Sequence, residues 1–412
     1  MNNKSIDRIL LLLGLATGAA LFFVGLTKGR AMSSLLWNGD TVGIFPDLFL
    51  SIRDAAEGNP YEGTSVYPAF AYLICWILSR FAPGDPVNWG TFSLSPNGNV
   101  VGFFFFMLCT LAVFALGYQL LKAYRGKALV LLTLFLFSPG YLYCLERGNM
   151  VILTLVFLLF FVGWYDSDQA YERELAFISL AFAAAMKIYP AVFGILLLFR
   201  KNWKDVGKTL FYGVTAFTVP FFLFGGLKDI VSMFRSIFSY SVVQRDFGYG
   251  YKINIQNIVT ASCDWLTTYV KWINISDNLC NFLCYCGLLF LLAGIVTIVM
   301  FAGKKWQKVW ALTLILTLVP TFSWIYNAIY YLVPLVVYLK DEKIKKFDFW
   351  YDICFALIFV PLPYGYIMKT LRGVNKLSYS TMAVFVASLL MTVFIVAEIV
   401  LDKKNAKKQG IV

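Results

Sequence analysis

The sequence predicts an all-α polytopic membrane protein with about 11 to 13 transmembrane helices, and three observations support this fold class. The chain of 412 residues is 60% apolar and only 14% charged, whereas soluble domains carry about 25% charged residues. Apolar runs long enough to cross a hydrocarbon core recur along its whole length. The alternating apolar pattern of a membrane β-barrel is absent from these runs.

The basic residues indicate a bilayer as partner rather than a nucleic acid, although the net charge is +12. They lie in short clusters between apolar runs, as the positive-inside rule expects of cytoplasmic loops. The clusters are Lys122/Arg125/Lys127, Arg200/Lys201/Lys204/Lys208, Lys304/Lys305/Lys308, Lys340/Lys343/Lys345/Lys346 and Lys403/Lys404/Lys407/Lys408. The chain has no His, which excludes a His general base and argues against a zinc site. We expect neither a metal nor a cofactor.

The chain divides into one membrane domain, residues 1–412, with two larger extracytoplasmic loops at 28–65 and 226–279. Residues 9–27 are predicted to be an uncleaved first span, because the run is too long for a signal peptide core. Two regions leave alternatives. Residues 66–83 could cross the membrane or only half-insert. Residues 175–200, interrupted by Lys187 and Pro190, could be one kinked helix or two short helices that meet at Lys187.

The loop at 28–65 holds candidate general bases. Its carboxylates are those of Asp40, Asp47, Asp54, Glu57 and Glu62. Asp47 follows Pro46 and begins "DLFLSIRDAAEG", which predicts a short amphipathic helix on the membrane surface. A carboxylate just outside a membrane core can take a proton from an incoming hydroxyl. Alternatively, Asp47 only caps the helix and the other carboxylates are solvated.

Two cations lie at breaks between apolar runs. Arg147, in "CLERGNM", could hold a phosphate with its planar guanidinium, or Glu146 and Arg147 could simply reach the membrane interface. Lys187, in "AAAMKIYPA", needs an anionic partner, either a phosphate or a structural carboxylate. The loop at 226–279 adds Arg245 among many aromatic residues, which suits a sugar or lipid headgroup and equally suits an interface belt.

The cysteines give a weaker signal. Cys280, Cys284 and Cys286 follow one another in "CNFLCYC", and we expect packed thiols there rather than a metal site or a disulfide. The sequence contains no Walker A motif, Rossmann fingerprint or nucleophile elbow, which argues against transport driven by ATP hydrolysis in this chain.

In combination, these stretches resemble the GT-C glycosyltransferases, and most closely the polyprenol-phosphate-mannose-dependent branch, glycosyltransferase family 87. The resemblance covers roughly residues 1–340. It depends on an ordered set of short motifs: "GNPYEG", "YPAFAYL", "ERGN", "AAAMKIYPAVFGILLLFRKNW" and "FSWIYN". Relatives often carry a His near the last motif, where this chain reads Ser323-Trp324-Ile325-Tyr326-Asn327.

The resemblance implies an inverting transfer of mannose or another hexose from a polyprenyl-phosphate sugar to an extracytoplasmic glycan or glycolipid. It implies Asp47, or as second choice Asp40, as the general base. The donor phosphate would be bound by Arg147, Lys187 and Arg245. The substrates would contact a further set of residues: Tyr67, Glu146, Asn149, Tyr189, Trp324, Tyr326 and Asn327.

Two other classes of protein remain open at this stage. A transporter or flippase of a lipid-linked substrate would favour inverted repeats, and the one broken helix near Pro190 has no matching partner in the sequence. A noncatalytic GT-C-like membrane protein is the third possibility. In each case we expect a multi-pass protein, and for the enzyme a bacterial plasma membrane with the active site on the extracytoplasmic side.

Overall fold

The computed structural model confirms the all-α fold class. It describes residues 4–34, 45–63, 65–81, 96–243, 250–270, 272–341, 346–363 and 377–408. Within these ranges the chain forms 17 α-helices and no β-strand. The helices are α1 Lys4–Leu26, α2 Pro46–Ala56, α3 Ala69–Arg80, α4 Pro96–Leu120, α5 Gly126–Leu136, α6 Pro139–Arg147, α7 Val151–Trp164, α8 Ala170–Met186, α9 Ile195–Leu198, α10 Trp203–Thr218, α11 Lys228–Val243, α12 Ile255–Tyr269, α13 Asp277–Phe301, α14 Lys305–Thr317, α15 Leu332–Lys340, α16 Asp348–Phe359 and α17 Tyr379–Lys408.

Among the described residues, five helical segments are long and apolar enough to cross a membrane singly: α1, α4, α10 with the short 3₁₀ turn after it, α13 and α17. The consecutive helices α5 and α6 meet the same criterion only as a bent pair. Four shorter apolar helical segments of 10–17 residues accompany them: Ala69–Arg80, Val151–Trp164, Tyr189–Leu198 and Ile325–Lys340. These helices confirm a polytopic membrane protein, while the count of 11 to 13 spans stays a prediction.

The chain separates into two compact units. Unit 1 comprises residues 1–36, 121–142 and 248–412, and unit 2 comprises residues 37–120 and 143–247. The predicted single domain and the catalytic role of the loop at 28–65 stay predictions. Within the predicted loop at 226–279 the structure shows two helices, α11 and α12.

Unit 1 has an aromatic core around α14, whose side chains are almost all buried. Trp306 makes edge-on contacts with Tyr338 and Tyr351, both at ring-centroid distances of 5.0 Å. Such ring pairs add stabilisation beyond the apolar area that they bury. Helix α1 packs against α5 and α16, and α17 packs against α13 and α16.

Unit 2 is built around α7, which packs against α4 and α8. Helix α8 packs in turn against α3 and α10, and α2 packs against α3. The α8 helix ends at Met186, Lys187 is extended (φ −146°, ψ 133°), and a 3₁₀ turn, Tyr189–Gly194, follows. Residues 175–200 are therefore separate helical segments that meet at Lys187, the second of the two predicted alternatives.

Candidate functional site

Asp47 lies in the first turn of α2, so the predicted short helix is confirmed. Pro46 occupies the first helical position, where its missing amide costs nothing. The N-cap is Phe45, with a left-handed backbone (φ 62°, ψ 41°) and no side-chain capping bond. The alternative in which Asp47 merely caps the helix is wrong, because its carboxylate has other partners.

The motif "CLERGN" forms the turn that ends α6. Gly148 has a φ of +67°, its amide bonds to the Leu145 carbonyl at 3.1 Å, and the Asn149 amide bonds to the Cys144 carbonyl at 3.0 Å. This pair of bonds is the Schellman motif, in which a left-handed glycine satisfies the last carbonyls of a helix. The turn fixes Arg147 and Asn149 on either side of a glycine.

The start of α2 docks directly on this turn. The Phe45 amide donates to the Glu146 carbonyl at 3.1 Å. A Cβ placed on Gly148 would lie 2.6 Å from both Cα and Cβ of Phe45, a distance that atoms cannot occupy. The phenyl ring of Phe45 stacks on Phe106 with centroids 5.0 Å apart. Glycine at position 148 thus permits the close backbone approach that brings Asp47 to Arg147.

The Asp47 carboxylate binds two polar side chains of the turn, those of Arg147 and Asn149. Oδ1 forms an ion pair and hydrogen bond with Arg147 Nη2. Oδ2 accepts from Asn149 Nδ2 at 2.8 Å. Asn149 is held in this orientation because its Oδ1 accepts from the Val151 amide at 3.2 Å. The side chains of Asp47 and Arg147 keep 19% and 24% of their exposure, so the pair remains accessible.

Lys187 supplies a second cation at the same place. It is buried, at 6% exposure, and its charge interacts with the Asp47 carboxylate. Its Nζ lies 5.5 Å from the centroid of the Tyr67 ring, within the range of a cation–π contact. The Tyr67 hydroxyl accepts from Asn149 Nδ2 at 3.4 Å. Burial, and then the negative charge of Asp47, raise the pKa of Tyr67 well above its usual value, so this phenol stays protonated.

Most of the predicted site residues lie in unit 2, and the structure brings these together. Tyr189 lies near Tyr67, and Glu146 lies near Arg147, in each case close enough for electrostatic interaction. Two carboxylates and two cations therefore share the site. A phosphate that entered it would compete with both carboxylates for Arg147 and Lys187, whose charges are attractive to any oxyanion.

The remaining predicted residues belong to unit 1 or lie outside the described residues. Trp324, Tyr326 and Asn327 belong to unit 1, where Asn327 is buried and donates to Ser323 Oγ at 3.0 Å. Asp40 and Arg245 lie outside the described residues. No group of three or more His, Cys, Asp or Glu side chains in the described ranges is arranged to hold a metal ion.

Sequence reasoning missed two residues that shape unit 2. Phe45 gave no signal, since a left-handed phenylalanine cannot be read from sequence. Tyr61 follows Asn59-Pro60, and its hydroxyl donates to the Tyr67 carbonyl at 2.9 Å. In unit 1, Lys252 stands in the sequence as a cation among the aromatic residues of the loop at 226–279, and it is buried with its Nζ 5.7 Å from the Trp324 ring centroid.

One comparison with known proteins identifies the family. The model of glycosyltransferase family 87 matches residues 66–325, which is more than half of the chain. The chain belongs to glycosyltransferase family 87. No curated protein and no solved structure matches it. As a family 87 member with membrane-spanning helices, it is a membrane glycosyltransferase, with a sugar donor, an acceptor and the bilayer as its partners.

The family match covers the cluster unevenly. Tyr67, Arg147, Asn149 and Lys187 lie within the matched residues, whereas Asp47 precedes them. The family assignment therefore supports glycosyl transfer but does not bear on the role of Asp47. That role depends on the geometry of the cluster.

Proposed function

We propose that this family 87 member transfers a hexose, with mannose as first choice, from a polyprenyl-phosphate donor to an extracytoplasmic glycan or glycolipid. The observation that carries the proposal is the meeting of Asp47, Arg147 and Lys187 in one partly open cluster of unit 2. A carboxylate beside two cations matches the two needs of this reaction: a proton acceptor and a site for a leaving phosphate.

The two cations fit a phosphate better than an uncharged sugar. Negative charge grows on the phosphate oxygens as the glycosidic bond breaks, and preorganised positive groups in a dry site are most effective where charge develops. Arg147 approaches from the end of α6 and Lys187 from the end of α8. Each is positioned by a helix terminus rather than by a mobile loop, which favours a fixed geometry.

Asp47 is proposed as the general base. In the structure its oxygens accept hydrogen bonds from Arg147 and Asn149, and these donors occupy lone pairs that an incoming proton would need. A donor phosphate that drew Arg147 towards itself would relieve this pairing. Donor binding would then prepare the base, so that an acceptor hydroxyl meets an active carboxylate only when the donor is present.

The reaction balances in one step. The acceptor hydroxyl gives its proton to Asp47, and its oxygen forms a bond to the anomeric carbon. The bond between that carbon and the phosphate oxygen breaks, its electron pair leaves with polyprenyl phosphate, and the configuration inverts. Tyr67 and Tyr189, which border the cluster, are proposed to contact the sugar, and Glu146 and Asn149 to orient Arg147 and Asp47. Trp324, Tyr326 and Asn327 stay predicted substrate contacts.

The proposal is tested with the full chain reconstituted in lipid vesicles. Labelled hexose is offered either on a polyprenyl phosphate or on a nucleoside diphosphate, together with a mixture of membrane glycolipids from the source cells. We expect label to reach a glycolipid only from the lipid donor. Transfer only from the nucleotide donor would overturn the donor class, and no transfer from either donor would overturn the proposed reaction.

A further inference from the structure

Helices α12 and α13 of unit 1 pack against each other in antiparallel register. Near the middle of the contact, Cys284 Sγ lies 3.4 Å from Thr260 Oγ1 and 3.6 Å from the Gln256 carbonyl oxygen. One turn further along α13, a Cβ on Gly287 would lie 3.4 Å from side-chain atoms of Ile255 and Val259. The two helices therefore run in opposite directions, so that residues later in α13 lie beside residues earlier in α12.

This register places Cys263 of α12 opposite Cys280 of α13. One turn back from Cys284 lies Cys280, and one turn on from Thr260 lies Cys263. The register places the two thiols close enough to interact, and each influences the electrostatics of the other. Both are free thiols; Cys263 is buried and Cys280 is partly exposed. A small oxidant can therefore approach the pair from the Cys280 side.

Cys284 is a poorer partner for Cys280, although the two thiols also influence each other. Residues four apart on a helix have Cβ atoms about 5–6 Å apart, whereas a disulfide needs about 3.5–4.5 Å. A bond between them would distort α13. A bond between Cys263 and Cys280 would join two different helices at positions that the register places opposite each other.

We propose that Cys263 and Cys280 form a disulfide that fastens the α12–α13 hairpin. The charges flanking α13 favour an oxidising compartment for this end of the hairpin. Asp277 begins the helix, and the basic cluster Lys304, Lys305 and Lys308 follows its other end. The positive-inside rule assigns the basic end to the cytoplasm, so the cysteine end faces outwards, where disulfides persist. This proposal is independent of the proposed function.

The oxidant is a low-molecular-weight disulfide or a protein disulfide donor of the same compartment. The thiolate of one cysteine attacks the donor disulfide and forms a mixed disulfide, releasing one thiol. The second cysteine then attacks the sulfur of the first cysteine, which closes the bond between Cys263 and Cys280 and releases the remaining half of the donor as a second thiol. Two protein thiols are oxidised and one donor disulfide is reduced.

The test counts thiols in the full-length protein, which is first fully reduced, before and after treatment with oxidised glutathione. The protein is denatured in SDS and labelled with a maleimide that adds a fixed mass per thiol; peptides are then mapped without reduction. The chain has eight cysteines. We expect the number of labels to fall by two after oxidation, to return after reduction, and a peptide joining Cys263 to Cys280 to appear.

Cys263→Ser and Cys280→Ser should each abolish this loss of labels. Cys286→Ser is the matched control, since it removes an exposed thiol of the same helix and should still lose two labels. Unchanged labelling of the wild type after oxidation would overturn the proposal, as would a cross-linked peptide that joins Cys280 to Cys284. The peptide map of the wild type decides the question even if a serine variant fails to fold.

Discussion

Two buried or partly buried carboxylates, one in each unit, have very different surroundings. In unit 1, Glu398 is 1% exposed and accepts hydrogen bonds from four groups. The donors are Lys304 Nζ at 2.7 Å, Gln307 Nε2 at 2.8 Å, the Tyr351 hydroxyl at 2.9 Å and the Lys346 amide at 3.0 Å. In unit 2, Asp47 keeps 19% exposure, and among the described residues its side-chain hydrogen-bond partners are Arg147 and Asn149.

The difference separates a structural carboxylate from a candidate reactive one. A carboxylate whose four lone-pair positions are all filled by protein donors has no room for a proton or a substrate. The bonds that the described residues make to Asp47 leave it able to accept further hydrogen bonds. It also lies beside two cations, Arg147 and Lys187, that a phosphate could bind. The comparison predicts that changes around Asp47 reduce turnover, whereas changes around Glu398 reduce stability.

The largest effect is expected from Asp47→Asn. The amide keeps the size of the side chain but cannot accept the acceptor's proton, and loss of a general base typically costs about 10²–10⁴-fold in rate. Initial rates of hexose transfer from polyprenyl phosphate measure the effect. Asp54→Asn is the control, since Asp54 lies on the same helix and pairs with its neighbour Arg53. Asp40→Asn is assayed in parallel.

Three outcomes would correct the assignment. If Asp40→Asn abolishes transfer and Asp47→Asn does not, Asp40 is the base. If neither variant changes the rate, the general-base mechanism is wrong. An equal loss in Asp54→Asn would show that the assay reports the integrity of α2 rather than proton transfer.

A smaller loss of turnover is expected from Arg147→Lys. Lysine keeps the positive charge but not the planar pair of donors that can span an oxyanion. We expect kcat/KM to fall on the order of 10²-fold, the lower range for loss of one donor to a developing oxyanion. Rates over a range of lipid-donor concentrations measure it, with Arg53→Lys as the control. An unchanged kcat/KM would mean that Arg147 serves only to hold Asp47.

A third effect tests how Asp47 is positioned. In Gly148→Ala the new methyl group meets the backbone of Phe45, and the residue must also keep a left-handed conformation. The start of α2 has to move, and since a misplacement near 1 Å can cost up to about 100-fold, we expect a fall in kcat on the order of tenfold. Initial rates of transfer at a saturating concentration of the lipid donor measure this fall in kcat.

The control for this substitution is Gly126→Ala, where an added Cβ meets nothing within 4 Å. Wild-type kcat in Gly148→Ala would show that the contact between Phe45 and the turn does not position the base. A matching loss in Gly126→Ala would show a general sensitivity to glycine replacement.

The local parts of this site could be predicted from the sequence, and its assembly could not. Pro46 before an amphipathic stretch predicts the start of α2, and "ERGN" contains the glycine that ends a helix. Asp47 and Arg147, however, are 100 positions apart, and no local pattern encodes their pairing. It depends on a left-handed Phe45 and a close backbone contact at Gly148, which are properties of the folded chain.

The same limit applies to the fold. Composition and apolar runs suffice for an all-α membrane protein, because every backbone group in a bilayer must be paired within a helix. They do not fix helix lengths, because Pro190 is compatible with one kinked helix or with two shorter helices. In the structure the helix ends before Lys187, which is extended. Likewise Cys263 lies outside the "CNFLCYC" motif, and only the packing of α12 on α13 brings it to Cys280.

The smallest effect on turnover, and a large effect on stability, is expected from Glu398→Gln. The substitution removes the counterion of Lys304, whose side chain is 11% exposed, and places an amide donor against the existing donors. Removal of one partner from a buried ion pair costs about 3–5 kcal/mol. Unfolding by SDS in mixed micelles, followed by tryptophan fluorescence, measures this free energy, and transfer assays on the folded fraction should give wild-type turnover.

Asp402→Asn is the matched control, because Asp402 on the same helix pairs with Lys346 Nζ at 2.5 Å with side-chain exposures of 57% and 34%. Exposed pairs contribute about 0–1 kcal/mol, so this variant should unfold like the wild type. If Glu398→Gln lowered turnover of the folded fraction as strongly as Asp47→Asn, a saturated carboxylate would not be diagnostic of a structural role. The comparison of Glu398 with Asp47 would then no longer distinguish a structural carboxylate from a reactive one. Evidence for the role of Asp47 would have to come from a structure with bound substrate.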